Sequence, residues 1–353
     1  MGFSRVRFNN FRNIEPREIK WSPGLNLLTG KNGTGKTNIL EGINIISGWG
    51  PLERGTKSAS LPTWNSGSDE VRLTGQLDGE AGEIIKVKIA GRCAMKLDDM
   101  PVSATELRWK VPVLTFLPND MAILEGSASF RRRLLDMILA LIVPPYAARL
   151  HDYRRGVRQK SALLRRGQPA VAVDRALLPL AAWIWKMREE AVELLSNCFN
   201  EVSDLLPASL TLTLKRGGAG LSDAAEADFL ASLAQRGEQE RVMKTPLVGP
   251  HRDDILIEAG GRVAAQTQSR GFRRRTAIAM ILAASCSVRR KLGKDPVMLL
   301  DEVTAELDSE GKRMLFEALL SRKTQVFAAT AEQFADRPPC AVYEVERGRI
   351  EQI

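Results

Sequence analysis

Near the N-terminus Ser4, Val6 and Phe8 alternate with Arg5, Arg7 and Asn9, a period of two that predicts a strand with one buried face. Leu25 to Thr29 is a short apolar run that leads straight into a glycine-rich turn, and Ile39 to Ile46 reads as helix. After a Gly/Pro/Ser-rich stretch from Gly48 to Ser68, Val71 to Leu73 and Leu77 precede Asp78-Gly79. Ile85, Val87 and Ile89 then alternate with Lys86 and Lys88, which is a hairpin signal. From about Ser127 to Leu206 the pattern lengthens into helices; between Asp174 and Leu206, Leu177, Trp183, Met187, Val192 and Leu195 recur at helical spacing. Beyond Pro246, strands are predicted at Ile255–Ile257, Val297–Leu300, Val326–Ala328 and Val342–Val345, with a helix over Phe272–Leu292. The order is therefore α/β, then α, then α/β. It predicts one nucleotide-binding core made of residues 1–126 and 245–353, interrupted by an inserted helical lobe, 127–244.

Composition narrows the class of protein. The chain has 353 residues, 44% of them hydrophobic, enough for a sizeable core. No apolar run approaches the ~20 residues that cross a bilayer; the most apolar stretch, Met137 to Val143, stops at Pro144-Pro145. That excludes a transporter subunit with its own spans. The N-terminus carries charges where a signal peptide needs an apolar segment, so the cytoplasm is the expected compartment, with no membrane partner. Four dispersed cysteines suggest neither a disulfide framework nor a zinc site, and with His151 and His251 as the only histidines a His-rich metal centre is not available. The net charge of +9 is compatible with a polyanionic partner.

The chemistry-bearing motifs are more specific. Gly30-Lys31-Asn32-Gly33-Thr34-Gly35-Lys36-Thr37 fits G-x-x-x-x-G-K-[ST] and lies between an apolar run and a helix, the context that gives the motif meaning. Its amides would cradle phosphate, Lys36 would reach the β/γ phosphates, and Thr37 would offer its hydroxyl to Mg²⁺. Val297 to Leu300 is a buried-strand pattern that ends in Asp301-Glu302. Asp301 would hold Mg²⁺ through its water shell, and Glu302 would orient or deprotonate the attacking water in phosphoryl transfer. Between these motifs, Ser269-Arg270-Gly271 opens a helix, an arrangement that binds anions or simply caps the helix. From Arg131 to Arg166 ten cations face two acids, an excess of eight that nearly matches the whole chain's net charge. Arg154, Arg155, Arg158, Arg165 and Arg166 are the members spaced along a polar helix and are the candidate DNA contacts. Arg131 to Arg133 could equally brace the fold internally. With Tyr153 the nearest aromatic, base stacking is a minor expectation.

Taken in order, the phosphate loop, helical insert, Ser-x-Gly helix, Asp-Glu strand and Ala305-Glu306-Leu307-Asp308 resemble the ABC-type ATPases of DNA metabolism. Within them the resemblance is to the RecF recombination-repair family, over almost the whole chain. It is carried by Asn10 to Ile14, Gly30 to Glu41, Phe116 to Asp120, Gly126 to Asp136 and Gly249 to Asp254. The resemblance implies an ABC-ATPase-like α/β head, a mixed sheet around a P-loop core with antiparallel strands, and an inserted, mainly helical second lobe. It also implies a homodimer closed by ATP, with Arg12, Asn13 and Gly33 to Asn38 on the nucleotide. Ser269 and Gly271 would touch its γ-phosphate from the second copy, with Arg270 and Asp308 at that same dimer interface. The implied function is binding of gapped or single-strand/double-strand junction DNA and assistance to RecA loading with RecR and RecO, with slow, DNA-stimulated hydrolysis of ATP. One departure stands out: Phe272 follows the Ser-x-Gly where the family usually has Gln. Alternative readings are a nucleotide-switched scaffold with negligible hydrolysis, and an SMC/Rad50-type head without its coiled coil. The head motifs alone also fit a transporter ATPase.

Overall fold

Phe3, Val6 and Phe8 are fully buried while Arg7 is exposed, so the alternation along the first strand sets its inner face. In this computed structural model, residues 2–53, 55–79, 82–199, 201–202, 209–302, 307, 309–321, 324–331 and 339–353 are described. The chain runs through β1 (Phe3–Asn9), β2 (Arg17–Lys20), β3 (Leu25–Thr29), α1 (Lys36–Ile46), β4 (Val71–Leu77), β5 (Ile84–Ala90), β6 (Arg92–Leu97), β7 (Met100–Pro101), α2 (Ala104–Lys110) and β8 (Val113–Phe116). It continues with α3 (Ala128–Ile142), α4 (Tyr146–Arg165), α5 (Val171–Phe199), β9 (Leu210–Lys215), α6 (Ala225–Met243), β10 (Asp254–Ala259), β11 (Arg262–Val263), α7 (Ala264–Thr267) and α8 (Arg270–Leu292). The last elements are β12 (Val297–Asp301), α9 (Ser309–Leu320), β13 (Val326–Thr330), β14 (Ala341–Glu346) and β15 (Arg349–Gln352).

These elements form two compact units, residues 1–121 with 288–353, and residues 122–287. In the first unit an antiparallel sheet has the order β2-β1-β4-β5-β6-β7, and a second, mixed sheet has the order β15-β14-β3-β13-β12-β8. Within the mixed sheet, β14, β3, β13, β12 and β8 are parallel and β15 is antiparallel to β14. Helix α1 packs against β4 and β5 of one sheet and β12 and β13 of the other. Ile39, Leu40, Ile43, Ile45 and Ile46 are therefore all buried, as a helix enclosed on several sides requires. This is the ABC-ATPase-like head, with its phosphate loop at the end of a central strand.

The second unit is not purely helical. Strands β9, β10 and β11 make a separate antiparallel sheet, with α3 lying on β10 and α5 on β9. The sequence pattern put the strand around Ile255–Ile257 in the core that resumes at 245, whereas that strand pairs with β9 and stays in the second unit, which extends to Ser287. Alternation reveals that a strand has a buried face; it does not reveal which sheet the strand joins.

The Gly249 to Asp254 segment holds this unit together. Arg188 is 2% exposed, donates to Asp253 at 2.7 Å, Asp136 at 2.8 Å and the Pro250 carbonyl at 2.6 Å, and reaches the Tyr146 hydroxyl at 3.3 Å. Burial opposes its charge, but Asp136, then Tyr146 and Asp253, raise its pKa well above the ordinary guanidinium value. Asp253 also accepts from the Trp185 indole and the Gly217 amide, both at 2.7 Å. Gly249 is required at its position: its φ is 126°, and an added Cβ would lie 2.3 Å from the Tyr153 hydroxyl.

Candidate nucleotide site

Parallel pairing aligns the C-terminal ends of three adjacent strands. Thr29 of β3 is opposite Thr330 of β13, and Ala329 of β13 is opposite Asp301 of β12. The phosphate loop leaves β3 at this edge, where open α/β sheets bind ligands. Gly30, with φ 146°, passes so close to the backbone of β14 that a Cβ there would meet the Val345 carbonyl at 2.3 Å. Lys31, Asn32 and Gly33 are exposed at the loop tip, Thr34 donates to the Lys31 carbonyl at 2.9 Å, and Gly35 is the N-cap of α1. The free amides of the first turn and the helix dipole then favour an anion at this point.

Lys36 is 4% exposed, and its Nζ donates to the Gly30 carbonyl at 2.7 Å and the Lys31 carbonyl at 2.9 Å, inside the loop. The Thr37 hydroxyl donates to the Asp301 carboxylate, 3.1 Å to Oδ1 and 3.0 Å to Oδ2. Burial raises the Asp301 pKa to about 6, opposed by the Thr37 hydrogen bond, raised further by Glu302 and lowered by Lys36. Burial pushes the Lys36 ammonium below its ordinary value, while Glu302 and Asp301 pull it back up. One hydroxyl, two carboxylates and one ammonium thus interact electrostatically at this edge. Glu302 lies just past the strand in the left-handed region, φ 47°, its amide donating to the Ala329 carbonyl at 3.0 Å. A non-glycine residue held in that conformation is strained, which points to a constrained position.

The segment after β1 is tied to the loop. Asn13 donates to the Thr34 and Gly33 carbonyls at 3.2 and 3.4 Å and accepts from the Asn38 amide at 2.7 Å. Arg12 is committed elsewhere: its guanidinium forms a two-pronged pair with Glu41, at 2.7 and 3.1 Å, and reaches the Ser60 carbonyl at 3.0 Å. Its partner Glu41, 3% exposed on α1, was not identified from the sequence; a carboxylate in an otherwise apolar helix face was the available signal.

At the other candidate motif, Ser269 and Arg270 are exposed, and space around Gly271 is open. The Ser269 hydroxyl accepts from the Phe272 amide at 3.2 Å, which is helix capping. Phe272 is 3% exposed, its ring taken into the interior. Arg273 pairs with Glu125 at 3.0 Å, and Arg274 and Arg275 after it are half-buried. Asp308 and the Ala305-Glu306 positions lie outside the described residues.

On α4, Arg154, Arg155, Arg158, Arg165 and Arg166 are all exposed. At about 100° per residue they fall within an arc of roughly 120°. Arg154 also pairs with Asp136 at 2.8 Å. Other cations of the cluster have structural work. Lys160 is 1% exposed between Asp174 at 2.8 Å and Glu240 at 2.6 Å. Arg131 grips Asp254 at 2.6 and 3.0 Å, and Arg132 donates to the Asp253 carbonyl at 2.5 Å. The excess of eight therefore overstates what is presented to solvent.

Comparison with known proteins adds the family. Residues 5–99 match the AAA domain family. The chain is 30% identical to the DNA replication and repair protein RecF of Anaeromyxobacter sp., over 98% of this chain and 97% of that protein. It is 31% identical to that of Symbiobacterium thermophilum, over 90% and 88%. Its fold is similar to a solved structure of the recombination mediator protein RecF-ATPrS in the RecFOR pathway, with TM-score 0.87, 23% identity and coverage of 99% and 98%. It is also similar to an SMC head bound to the C-winged helix domain of ScpA, with TM-score 0.58, 16% identity and coverage of 100% and 98%. The chain belongs to the family of the DNA replication and repair protein RecF.

Proposed function

We propose that the chain acts as an ATP-switched dimer on DNA. ATP is held by the phosphate loop of one copy and the Ser269 end of α8 in the other, and the closed pair binds gapped DNA and single-strand/double-strand junctions. Lys36 sets the β/γ phosphates, Glu302 orients the attacking water, and Asn13 with Asn38 fixes the shape of the loop. Thr37 and Asp301 supply the hard oxygen donors that Mg²⁺ prefers. When bound, that ion neutralises charge on the transferring phosphoryl group. Exposed Ser269 and the open space around Gly271 support the role given to the α8 end. The exposed arginines of α4 track phosphate, and hydrolysis is slow and stimulated by DNA. Family membership supports a cytoplasmic role in assisting RecA loading with RecR- and RecO-like partners.

The observation that carries this reading is the Thr37–Asp301 contact beside Lys36, which joins the phosphate loop to the distal carboxylates. Titration of a fluorescent ATP analogue with Mg²⁺ tests it. The wild-type chain should saturate and Lys36→Ala should not; equal binding by both would refute it.

A further inference from the structure

The spacing of the cysteines suggests no disulfide, yet the fold brings two of them into contact. Cys198, in the last turn of α5, and Cys286, toward the end of α8, are separated by 88 positions, are fully buried, and have Sγ atoms 2.7 Å apart. That separation lies between the covalent S–S length of about 2.05 Å and an ordinary non-bonded contact. Both residues belong to the unit spanning 122–287, so bridging them requires no rearrangement between the two units. The other two thiols, exposed Cys93 and half-buried Cys340, belong to the first unit.

We propose that Cys198 and Cys286 form a modification site, a dithiol that a peroxide-class oxidant closes to an intramolecular disulfide. One thiolate sulfur attacks a peroxide oxygen, the O–O bond breaks, and a sulfenic acid forms as water leaves. The second sulfur then displaces that hydroxyl as water, so two thiols and one hydrogen peroxide give one disulfide and two waters. The bridge ties the end of α5 to α8, the helix whose first turn follows Ser269, and closes a loop containing β9, α6, β10, β11 and α7. The contact with Cys198, then burial, then Glu201 raise the Cys286 thiol. The pair therefore reacts more slowly than an exposed thiol and closes through local opening, and a cytoplasmic disulfide of this kind is a response to oxidation.

The test uses the full chain with the other two thiols removed, Cys93→Ser with Cys340→Ser, exposed to hydrogen peroxide. The expected product has lost two hydrogen atoms in mass, and its non-reducing digest contains a peptide pair joining Cys198 to Cys286 that dithiothreitol separates. Its thermal midpoint is higher by roughly 5 °C or more than that of the reduced form. The same digest of oxidised wild-type chain gives the readout if the double variant folds poorly. Gain of oxygen at either sulfur instead of loss of hydrogen, or complete alkylation of both residues in denaturant after treatment, would overturn the assignment.

Discussion

The Thr37 hydroxyl meets both carboxylate oxygens of Asp301 across 264 positions of sequence. The sheet order explains how: β13 lies between β3 and β12, all three are parallel, and their C-terminal ends share one edge. The sheet thus brings together the two side chains that the proposal assigns to Mg²⁺.

Replacing Thr37 with Val keeps the shape of the side chain and removes the hydroxyl. The expected result is a loss of Mg²⁺-dependent nucleotide affinity of about 10–100-fold, with Mg²⁺-independent binding affected far less. Paired titrations in Mg²⁺ and in EDTA separate the two. An equal loss in both would mean that Thr37 serves the loop and not the metal.

Glu302→Gln distinguishes an ATPase from a scaffold. If Glu302 orients the attacking water, phosphate release should fall by roughly 100-fold or more while ATP-bound dimers accumulate. If hydrolysis is negligible in the wild type, the two proteins will match in phosphate release and in sizing.

Much of this was legible locally. The G-x-x-x-x-G-K-T spacing, the alternation of Ile85, Val87 and Ile89, and the apolar run into Asp301 each depend on near neighbours in sequence, and the structure places them as the pattern suggests. What could not be read is pairing at a distance. Lys160 counts as a surface cation until Asp174 and Glu240 are found beside it, and Arg12 looks free until Glu41 is placed on the facing turn of α1. Charge in a sequence says nothing about whether a partner arrives from elsewhere in the fold, and a charge is buried where partners offset much of its desolvation.

The basic face of α4 makes a salt-dependent prediction. Converting Arg155, Arg158, Arg165 and Arg166 to Gln leaves Arg154 to hold Asp136 and should weaken binding of gapped duplex without unfolding the unit. The slope of log affinity against log salt should fall by up to about 0.9 for each arginine that contacts duplex phosphate. An unchanged slope, measured by fluorescence anisotropy over a salt series, would move the DNA elsewhere.

His251 gives a pH dependence. The Tyr153 hydroxyl lies 2.7 Å from Nδ1, and Nε2 lies 3.2 Å from the Pro246 carbonyl, which can only accept. A neutral ring therefore carries its proton on Nε2, and burial, which disfavours the charged form, pushes its pKa down to about 4. The ordinary value is about 6.5, so between the two the unfolded chain binds more protons. The contribution is complete above pH 6.5 and is lost as pH falls toward 4, at up to about 1.4 kcal/mol per pH unit. Urea midpoints over that range should fall more steeply for wild type than for His251→Gln; parallel lines would contradict the assignment.

The most direct test of the two-sided grip on ATP is molar mass by light scattering with ATP and Mg²⁺, using Glu302→Gln to hold the bound state. The account predicts twice the 39.0 kDa of one chain with nucleotide, and a single chain for Glu302→Gln combined with either Lys36→Ala or Ser269→Arg. A mass that stays at one chain while ATP is demonstrably bound would contradict it.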